Sequence, residues 1–257
     1  MRDFMIRGRL PAAWRAPLWG DRERWGLTVR PDDPQWQEWQ RSYLDFYAAN
    51  QRAGVGTAIN DAGYRVMSEV DLEGKRVLEI GPGDIRHIRF WRGKPREYVL
   101  VDIQEAMLEK ARGKLDAAGL SSQSLRVERG DRLPLEEGAV DVVVSFYSLE
   151  HLYPLQPYVD EICRVLRPGG TLVGAVPAEG GLAWGAGRML TSRRWLKANT
   201  TIDPDKLICW EHPNFADDVI AELDRRLQRQ RLRLWPLRWL PWLDVNLIVR
   251  FVYRKPG

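Results

Sequence analysis

An acidic residue and a glycine turn lie at the ends of two apolar runs in the middle of the chain. Residues 77–80 lead into Gly81-Pro82-Gly83, and residues 99–101 lead into Asp102. Glycine has no Cβ, so a ligand can approach the backbone closely at Gly81 and Gly83. A carboxylate at the end of a neighbouring strand can accept hydrogen bonds from both hydroxyls of a ribose. This spacing predicts a site for a nucleotide-type cofactor.

The same turn disfavours one class of cofactor. A dinucleotide fingerprint, G-x-G-x-x-G, requires a third glycine at the position where this chain has Arg86. The backbone therefore lacks the close approach that a pyrophosphate needs at the start of the following helix. An NAD-type dehydrogenase is disfavoured on this ground.

Alternating strands and helices position these residues. Strands are predicted at 76–80, 97–101, 124–128, 140–145 and 171–176, and helices at 84–92, 104–118 and 155–166. This alternation predicts a parallel sheet covered by helices on both faces. Ligands of such open sheets bind beyond the carboxyl ends of the strands, where Gly81 and Asp102 lie.

Aromatic residues concentrate outside this core. Residues 1–73 hold five of the twelve tryptophans, and residues 178–257 hold six. A helix is predicted from Asp33 through Phe46, with Trp36, Trp39 and Tyr43 on one face because they recur every three to four residues. Further elements are predicted as a helix at 59–70, a helix near 215–229 and strands at 231–235 and 245–253.

Four segments of the core resemble the class I S-adenosylmethionine-dependent methyltransferases. They are Glu79-Ile80-Gly81-Pro82-Gly83, the run 130–135, the run 141–145 and the run 164–172. In order and spacing these are similar to the family's glycine motif, its adenine-contacting segment, its fourth strand and its helix–turn–fifth strand. The resemblance covers residues 74–177, and Ile85 stands where the family has its third glycine.

The resemblance implies a fold and a division of the chain. The expected fold is α/β, a Rossmann-like, mostly parallel seven-stranded sheet with helices on both faces, an antiparallel C-terminal hairpin and an N-terminal helical cap. We expect a single methyltransferase domain over 1–257. Its parts are the cap at 1–73, the cofactor-binding core at 74–177, a lid-like insert at 178–214, and the C-terminal helix and hairpin at 215–257.

The resemblance also implies S-adenosyl-L-methionine as cofactor and S-adenosyl-L-homocysteine as product. Gly81 and Gly83 would give close backbone approach, Asp102 would bind the ribose, and Asp131 the adenine. Both acids could instead cap turns after strands, and Glu79 could order the turn or accept from backbone N–H groups. The full set of cofactor-binding residues is Glu79, Gly81, Pro82, Gly83, Asp102, Ile103, Asp131, Arg132 and Tyr147.

Methyl transfer needs little from the protein beyond alignment, because the methyl group of a sulfonium donor is already activated. We expect in-line (SN2) transfer to an oxygen atom of a small-molecule or glycan acceptor. If that oxygen belongs to a hydroxyl group, a base must remove its proton. His151, in the loop after the fourth strand, is the candidate base, or else a helix-start or cofactor-facing element. Tyr153 and His212 are candidate acceptor-binding residues. No histidine has a partner at zinc-ligand spacing, so no metal site is predicted.

Three smaller expectations concern other polar residues. Asn214 is predicted to N-cap the helix that follows it, and His87 to be exposed or adjacent to the cofactor. Cys163 and Cys209 are too few for a disulfide framework, and they fit a reducing cytoplasm. The start of the chain lacks the apolar run of a signal peptide.

Two alternatives to a small-molecule methyltransferase stay open. The net charge is +4, with a sequence pI of 9.1, and a run of arginines between 225 and 238 could serve an RNA or DNA methyltransferase. The segment 145–148 reads Ser-Phe-Tyr-Ser rather than the amino-methylating Asn/Asp-Pro-Pro-aromatic motif, which disfavours nucleic acid. The other alternative is a non-catalytic cofactor-binding scaffold. The tryptophan-rich loop 235–242 could also contact a membrane or a lipid-linked substrate.

Overall fold

The computed structural model describes residues 5–52, 54–130 and 132–257. Its centre is a seven-stranded sheet in the order β3-β2-β1-β4-β5-β7-β6, in which β7 alone runs antiparallel to its neighbours. The strands are β1 (Arg76–Ile80), β2 (Glu97–Asp102), β3 (Ser122–Arg126), β4 (Val140–Phe146), β5 (Leu166–Pro177), β6 (Gln228–Trp235) and β7 (Ile248–Arg254). The predicted α/β fold with a C-terminal antiparallel hairpin is confirmed.

Helices pack on both faces of the sheet, and further helices lie beyond the carboxyl ends of its strands. They are α1 (Ala12–Trp19), α2 (Arg22–Trp25), α3 (Pro34–Arg52), α4 (Gly54–Tyr64), α5 (Glu105–Ala117), α6 (Leu155–Val165), α7 (Leu182–Leu190), α8 (Ser192–Asn199), α9 (Pro204–Glu211) and α10 (Ala216–Arg226). None of the helices in the described part of the chain is both long enough and apolar enough to cross a membrane.

The strands bury both faces, because successive side chains point to opposite sides of the sheet. In β1, Leu78 packs with one buried cluster that includes the apolar sides of α6 and α10. Val77 packs with a second cluster, on the opposite face, that includes the apolar side of α5. Helices on both faces leave the carboxyl ends of the parallel strands as the accessible edge.

Several predicted boundaries are wrong. The segment 84–92 is not an α-helix but holds a short 3-10 helix at Arg86–Phe90, because Ile85 has a left-handed backbone with φ of 47°. The helix predicted at 59–70 begins earlier, as α4, and passes into a 3-10 turn at Arg65–Glu69. Strand β3 begins two residues before its prediction, since this polar edge strand carries no apolar signal.

The N-terminal helices and the segment 178–214 pack against each other. Trp36 and Trp39 of α3 share a buried cluster with Leu196 of α8 and Trp210 of α9. The rings of Trp36 and Trp210 meet edge to face at a centroid distance of 6.2 Å. Trp36, Trp39 and Trp210 therefore join the two flanks in one aromatic cluster, and all three line the cleft at the carboxyl ends of the strands.

Asn214 does not cap α10 as predicted. The N-cap position is Phe215, and no side chain caps the helix. The Asn214 amide instead points into the protein and donates hydrogen bonds to the carbonyl oxygens of Leu149 (3.0 Å) and Leu152 (2.6 Å). It joins the loop after β4 to the loop after α9.

We expect Asn214→Asp to destabilise the fold as much as Asn214→Ala. Each change leaves buried carbonyl groups without a donor, which costs about 1–3 kcal/mol of unfolding free energy. A capping residue would behave otherwise, because aspartate caps helices as well as asparagine does. Urea denaturation measures the change, with the exposed Asn199→Ala as a control expected to stay within about 0.5 kcal/mol of the wild type. An Asn214→Asp variant as stable as the wild type would show that the hydrogen bonds from Asn214 to Leu149 and Leu152 do not stabilise the fold.

Candidate functional site

A cleft of about 830 Å³ opens at the carboxyl ends of β1, β2 and β4. Pockets of 300–1,000 Å³ hold cofactor-sized ligands. The loops after these strands form its floor, and aromatic residues of the two flanks form its roof. Ile103 and Tyr153, both predicted site residues, lie at the surface of this cleft and are partly exposed.

The glycine turn after β1 forms the floor of the cleft. Gly81, Pro82 and Gly83 all line it, and Gly81 has a φ of 68°. A Cβ on Gly81 would lie 2.8 Å from the Cβ of Ser148, so a larger residue is excluded here. Ser148 belongs to the loop after β4, and its hydroxyl donates to the carbonyl oxygen of Ile80 at 3.0 Å. The two loops are thereby held in contact.

Glu79 supports this turn from behind rather than from within the cleft. Its buried carboxylate accepts a hydrogen bond from the Tyr98 hydroxyl and faces His87 Nε2, each at 2.8 Å. His87 Nδ1 accepts from the indole N–H of Trp91 at 2.9 Å. The proton of a neutral His87 must then be on Nε2, from which it is donated to Glu79. The sequence left two alternatives for His87, exposed or adjacent to the cofactor. The side chain is buried rather than exposed, and it lines the cleft.

Ile85 points away from the cleft. Its side chain is 2% exposed and packs with Tyr64, Leu100 and Leu108 against one face of the sheet. A branched residue in the left-handed region is strained, and this packing holds it in place. The residue that replaces the family's third glycine therefore does not narrow the cleft.

Asp102 lies at the end of β2 and lines the cleft beside the glycine turn. Its Oδ1 accepts the backbone N–H of Gln104 at 2.8 Å. The side chain thus performs the turn-capping role that the sequence allowed, and it also faces the cleft. Burial raises the pKa of Asp102, against the hydrogen bonds that it accepts from the backbone.

Tyr147 is held in an unusual conformation in the wall of the cleft. Its φ is 55°, which non-glycine residues rarely adopt. Its hydroxyl donates to the carbonyl oxygen of Asn60 in α4 at 2.9 Å, and its backbone N–H donates to Ala175 at the same distance. Burial raises its pKa well above that of a free tyrosine, so the phenol stays protonated. Backbone strain of this kind is concentrated at functional sites.

Of the predicted cofactor-binding residues, one cannot be placed and one lies away from the cleft. Asp131 lies outside the described residues. Arg132 has a largely exposed side chain that pairs with Glu161 at 3.7 Å, and it is not among the described residues that line the cleft. Glu128 and Arg129 line the cleft at the end of β3, and no motif in the sequence indicated them.

Aromatic side chains of the two flanks and of the segment after β4 line much of the cleft, and we call them the aromatic wall. They are Trp36, Trp39, Tyr43, Tyr64, Tyr153, Tyr158 and Trp210. The sequence placed Trp36, Trp39 and Tyr43 on one helix face but gave no sign that this face meets the cleft. The spacing of these three aromatics, three to four residues apart along the helix, was the sequence signal that they act together.

His151 lines the cleft and forms an ion pair with Glu211 at the end of α9. Its Nδ1 contacts the carbonyl oxygen of Glu211, and it lies 3.4 Å from the carboxylate. Burial opposes a charge on this ring, but the hydrogen bond that the ring donates to Glu211 and the charge of Glu150 outweigh it and raise the His151 pKa to about 9. A general base must be neutral to accept a proton, so these surroundings do not favour the predicted role.

His212 lies behind His151, outside the lining of the cleft. The two rings have a centroid distance of 4.6 Å. His212 Nδ1 lies 3.1 Å from the buried carboxylate of Glu179, which also pairs with Arg188. Burial lowers the His212 pKa to about 4 despite Glu179, and it raises the Glu150 pKa to about 7. No sequence motif indicated Glu179 or Arg188.

The arginines of the C-terminal region are largely engaged with carboxylates of the same chain. Arg231 and Arg233 both contact Glu69, at 2.7 and 3.1 Å, and Arg225 contacts Glu222 at 2.8 Å. Intramolecular partners reduce the positive field that a phosphate backbone would need. This pairing disfavours the nucleic-acid alternative.

Residues 78–174 match the model of the family described as methyltransferase domain. A probable S-adenosylmethionine-dependent methyltransferase of Mycolicibacterium smegmatis is 33% identical over 104 residues, which are 40% of this chain and 38% of that protein. Demethylmenaquinone methyltransferase of Thermus thermophilus is 34% identical over 101 residues, 38% of this chain and 46% of that protein. The chain thus spans less than half the length of these two relatives.

The fold is similar to that of the N-methyltransferase NodS of Bradyrhizobium japonicum, solved with S-adenosyl-L-homocysteine. The two share 16% identity with a TM-score of 0.58, over 88% of this chain and all of that one. At this identity the likeness concerns the fold alone. The sequence match over residues 78–174, the strand order and the glycine turn agree in supporting a class I S-adenosylmethionine-dependent methyltransferase.

Proposed function

We propose that this protein transfers the methyl group of S-adenosyl-L-methionine to an oxygen atom of a small-molecule acceptor and releases S-adenosyl-L-homocysteine. The observation that carries the proposal is the position of Asp102. Its carboxylate lies in the same cleft as the Gly81–Gly83 turn. This cleft lies at the carboxyl ends of β1 and β4, between which the strand order switches, and such sheets bind nucleotides at that point. The matched family and the cleft volume support the same donor.

The chain's own residues would mainly hold and orient the donor. Gly81 and Gly83 allow the donor's backbone-facing side to approach closely, and Asp102 accepts the ribose hydroxyls. The donor supplies an activated methyl group, which in-line attack transfers without a covalent intermediate on the protein. Alignment of the two reactants can lower the activation barrier by about 7–11 kcal/mol.

The aromatic wall supports an acceptor with a flat face, such as an aromatic ring or a sugar. Tyr153 and Tyr158 come from the loop and helix after β4, and Trp36 and Trp39 from the cap. Such rings offer large apolar surfaces with defined stacking geometry. They also exclude water from the transfer. A glycan intermediate and a phenolic compound both fit this description, and the Thermus relative is named as a methyltransferase of demethylmenaquinone.

A lipid-linked acceptor is consistent with the loop 235–242. Trp239 is 72% exposed and Trp242 45% exposed. Asn246 holds the loop from beneath, because its side chain bonds to the backbone of Leu237, Leu240 and Trp242. The contact with a membrane or a lipid-linked substrate remains a prediction, for which two exposed indoles on a fixed loop are suitable.

We expect S-adenosyl-L-homocysteine to bind the wild-type protein with micromolar affinity and to bind Asp102→Ala at least about tenfold more weakly. Hydrogen bonds to a charged group contribute about 1.5–3 kcal/mol each, and about 1.4 kcal/mol is a tenfold change in Kd. Calorimetric titration measures both, with Asp116→Ala on the exposed side of α5 as the matched control. Equal affinity in all three proteins would remove Asp102 from the site, and no binding to folded wild type would refute the proposed donor.

The affinity for S-adenosyl-L-homocysteine is expected to fall on acidification, and to begin to fall at a higher pH than an exposed aspartate would cause. The ionised Asp102 accepts the ribose hydroxyls, and its pKa lies above the ordinary value of 3.8. Protonation therefore begins at a higher pH than for an exposed aspartate, and the loss of affinity begins there too. Titrations across this range check the trend, with circular dichroism to show that the fold persists. Asp102→Asn should bind weakly with a flatter profile, and a parallel decline in that variant would assign the effect to another group.

Tyr153→Ala is expected to raise KM for the acceptor by roughly three- to tenfold, with S-adenosyl-L-homocysteine affinity unchanged. An aromatic pair contributes about 0.5–1.5 kcal/mol beyond the burial of its area. Tyr153→Phe keeps the ring and should stay near the wild type. Screening phenols and glycosides with isotope-labelled methyl donor identifies an acceptor for these assays. Equal KM values for the two variants would exclude stacking by Tyr153.

A further inference from the structure

Two histidines and a glutamate from distant parts of the chain meet beneath the roof of the cleft. Glu150 and His151 follow β4, and His212 follows α9. One potential ligand atom from each of the three lies within 4.8 Å of the others. A separation of 61 residues hides this meeting from any search for zinc-ligand spacing, which explains why the sequence predicted no metal site.

Both imidazoles have an oxygen partner on their outer side. His151 Nδ1 contacts the carbonyl oxygen of Glu211. His212 Nδ1 lies 3.1 Å from the carboxylate of Glu179. Histidines that bind metals regularly donate their other ring N–H to a carboxylate or a carbonyl, which fixes the tautomer. The contact at His151 leaves its Nε2 facing Glu150, at 3.9 Å from Oε1. At His212 the Nδ1 atom is close to Glu179 but lacks hydrogen-bond geometry among the described residues.

Glu150 is the residue whose surroundings most favour a bound cation. It is 2% exposed, and its Oε2 has no hydrogen-bond partner among the residues that the structure describes. A buried carboxylate oxygen without a donor is costly, and such groups call for an unseen partner. A bound cation would satisfy this oxygen and neutralise its charge.

The three side chains are held by a rigid frame. Asn214 bonds to the carbonyl oxygens on both sides of the Glu150–His151 pair. Arg22 donates to the carbonyl oxygens of His212 at 2.9 Å and of Pro213 at 2.6 Å. The two loops that carry the ligands are therefore fixed to each other before any metal binds, which reduces the entropy cost of forming the site.

The charges around the group leave room for a cation. Three carboxylates face it, those of Glu150, Glu179 and Glu211. Arg188 is ion-paired with Glu179 and balances one of them. The charge of Arg22 also acts on Glu179. Once a metal ion has displaced the proton on His151, one net negative charge is left, and a divalent ion together with a deprotonated acceptor oxygen would bring the total to zero.

We propose that Glu150, His151 and His212 bind one divalent transition-metal ion, with zinc as the reference case. Two imidazoles and one carboxylate form the ligand set of catalytic zinc sites and of several non-haem iron sites, which keep a coordination position open. His151 lines the cleft, so the open position would face the acceptor side. This role rests on the proposed function: the metal would lower the pKa of the acceptor hydroxyl, so that the hydroxyl loses its proton to solvent before the oxygen attacks the methyl group.

Calorimetric titration of Zn²⁺ into the chelator-treated full-length protein tests the site directly. We expect one equivalent to bind, and we expect affinity to fall at least about a hundredfold in Glu150→Gln and in His212→Ala, since even outer partners of metal ligands contribute about 10–100-fold. Co²⁺ substitution should give visible absorption bands that the two variants lack. Glu109→Gln, an exposed carboxamide variant on α5, is the matched control and should bind as the wild type does.

Binding of S-adenosyl-L-homocysteine to each variant separates this inference from the proposed function. A variant that binds the product but not Zn²⁺ is folded and supports the metal site. Zn²⁺ affinity that persists in both Glu150→Gln and His212→Ala means adventitious binding elsewhere, and absence of stoichiometric binding to the wild type overturns the proposal. Stoichiometric Zn²⁺ binding without product binding would retain the metal site and refute the donor.

Discussion

The contact between the loops after β1 and β4 is the constraint on which the cleft depends. Gly81 and Ser148 approach so closely that a Cβ on the glycine could not be accommodated. The Ser148 hydroxyl bonds to the carbonyl oxygen of Ile80 and lies 2.6 Å from that of Ser145. This contact fixes the floor between the two strands at the switch in sheet order. The glycine turn, Asp102 and Tyr147 take their relative positions from it.

A second constraint holds the roof above that floor. The end of α9 reaches into the core through Glu211, which bonds to the indole of Trp39 at 2.7 Å and pairs with His151. Burial would raise the Glu211 pKa, but the hydrogen bond with His151 outweighs it, so the carboxylate stays ionised. One side chain thus links the cap, the insert and the loop after β4.

The parts of the molecule with local signals were predictable. The apolar strands, the glycine turn and Asp102 were found because each depends on a few adjacent residues. Boundaries failed where long-range contacts decide them. His87 pulls the segment after the turn toward buried Glu79, and Ile85 takes a left-handed backbone there, so the predicted helix is reduced to a 3-10 turn. Asn214 was read as a cap because its partners lie more than sixty residues away.

The polar group around His151 could not be predicted for the same reason. Its members come from the ends of β4, β5 and α9, and only the folded chain places Glu179 and His212 beside Glu150. The aromatic wall is an intermediate case, since the helical period grouped Trp36 with Trp39 but did not say what they face. Burial patterns within one element are readable, whereas the docking of two flanks onto a sheet edge is set by tertiary packing.

A crystal structure of the protein with S-adenosyl-L-homocysteine is the most direct test of the central claim, that this cleft holds the methyl donor. We expect the ribose hydroxyls on the Asp102 carboxylate, the homocysteine part over Gly81–Gly83, and the sulfur directed toward the aromatic wall. A ligand bound elsewhere, or with its ribose turned away from Asp102, would contradict it.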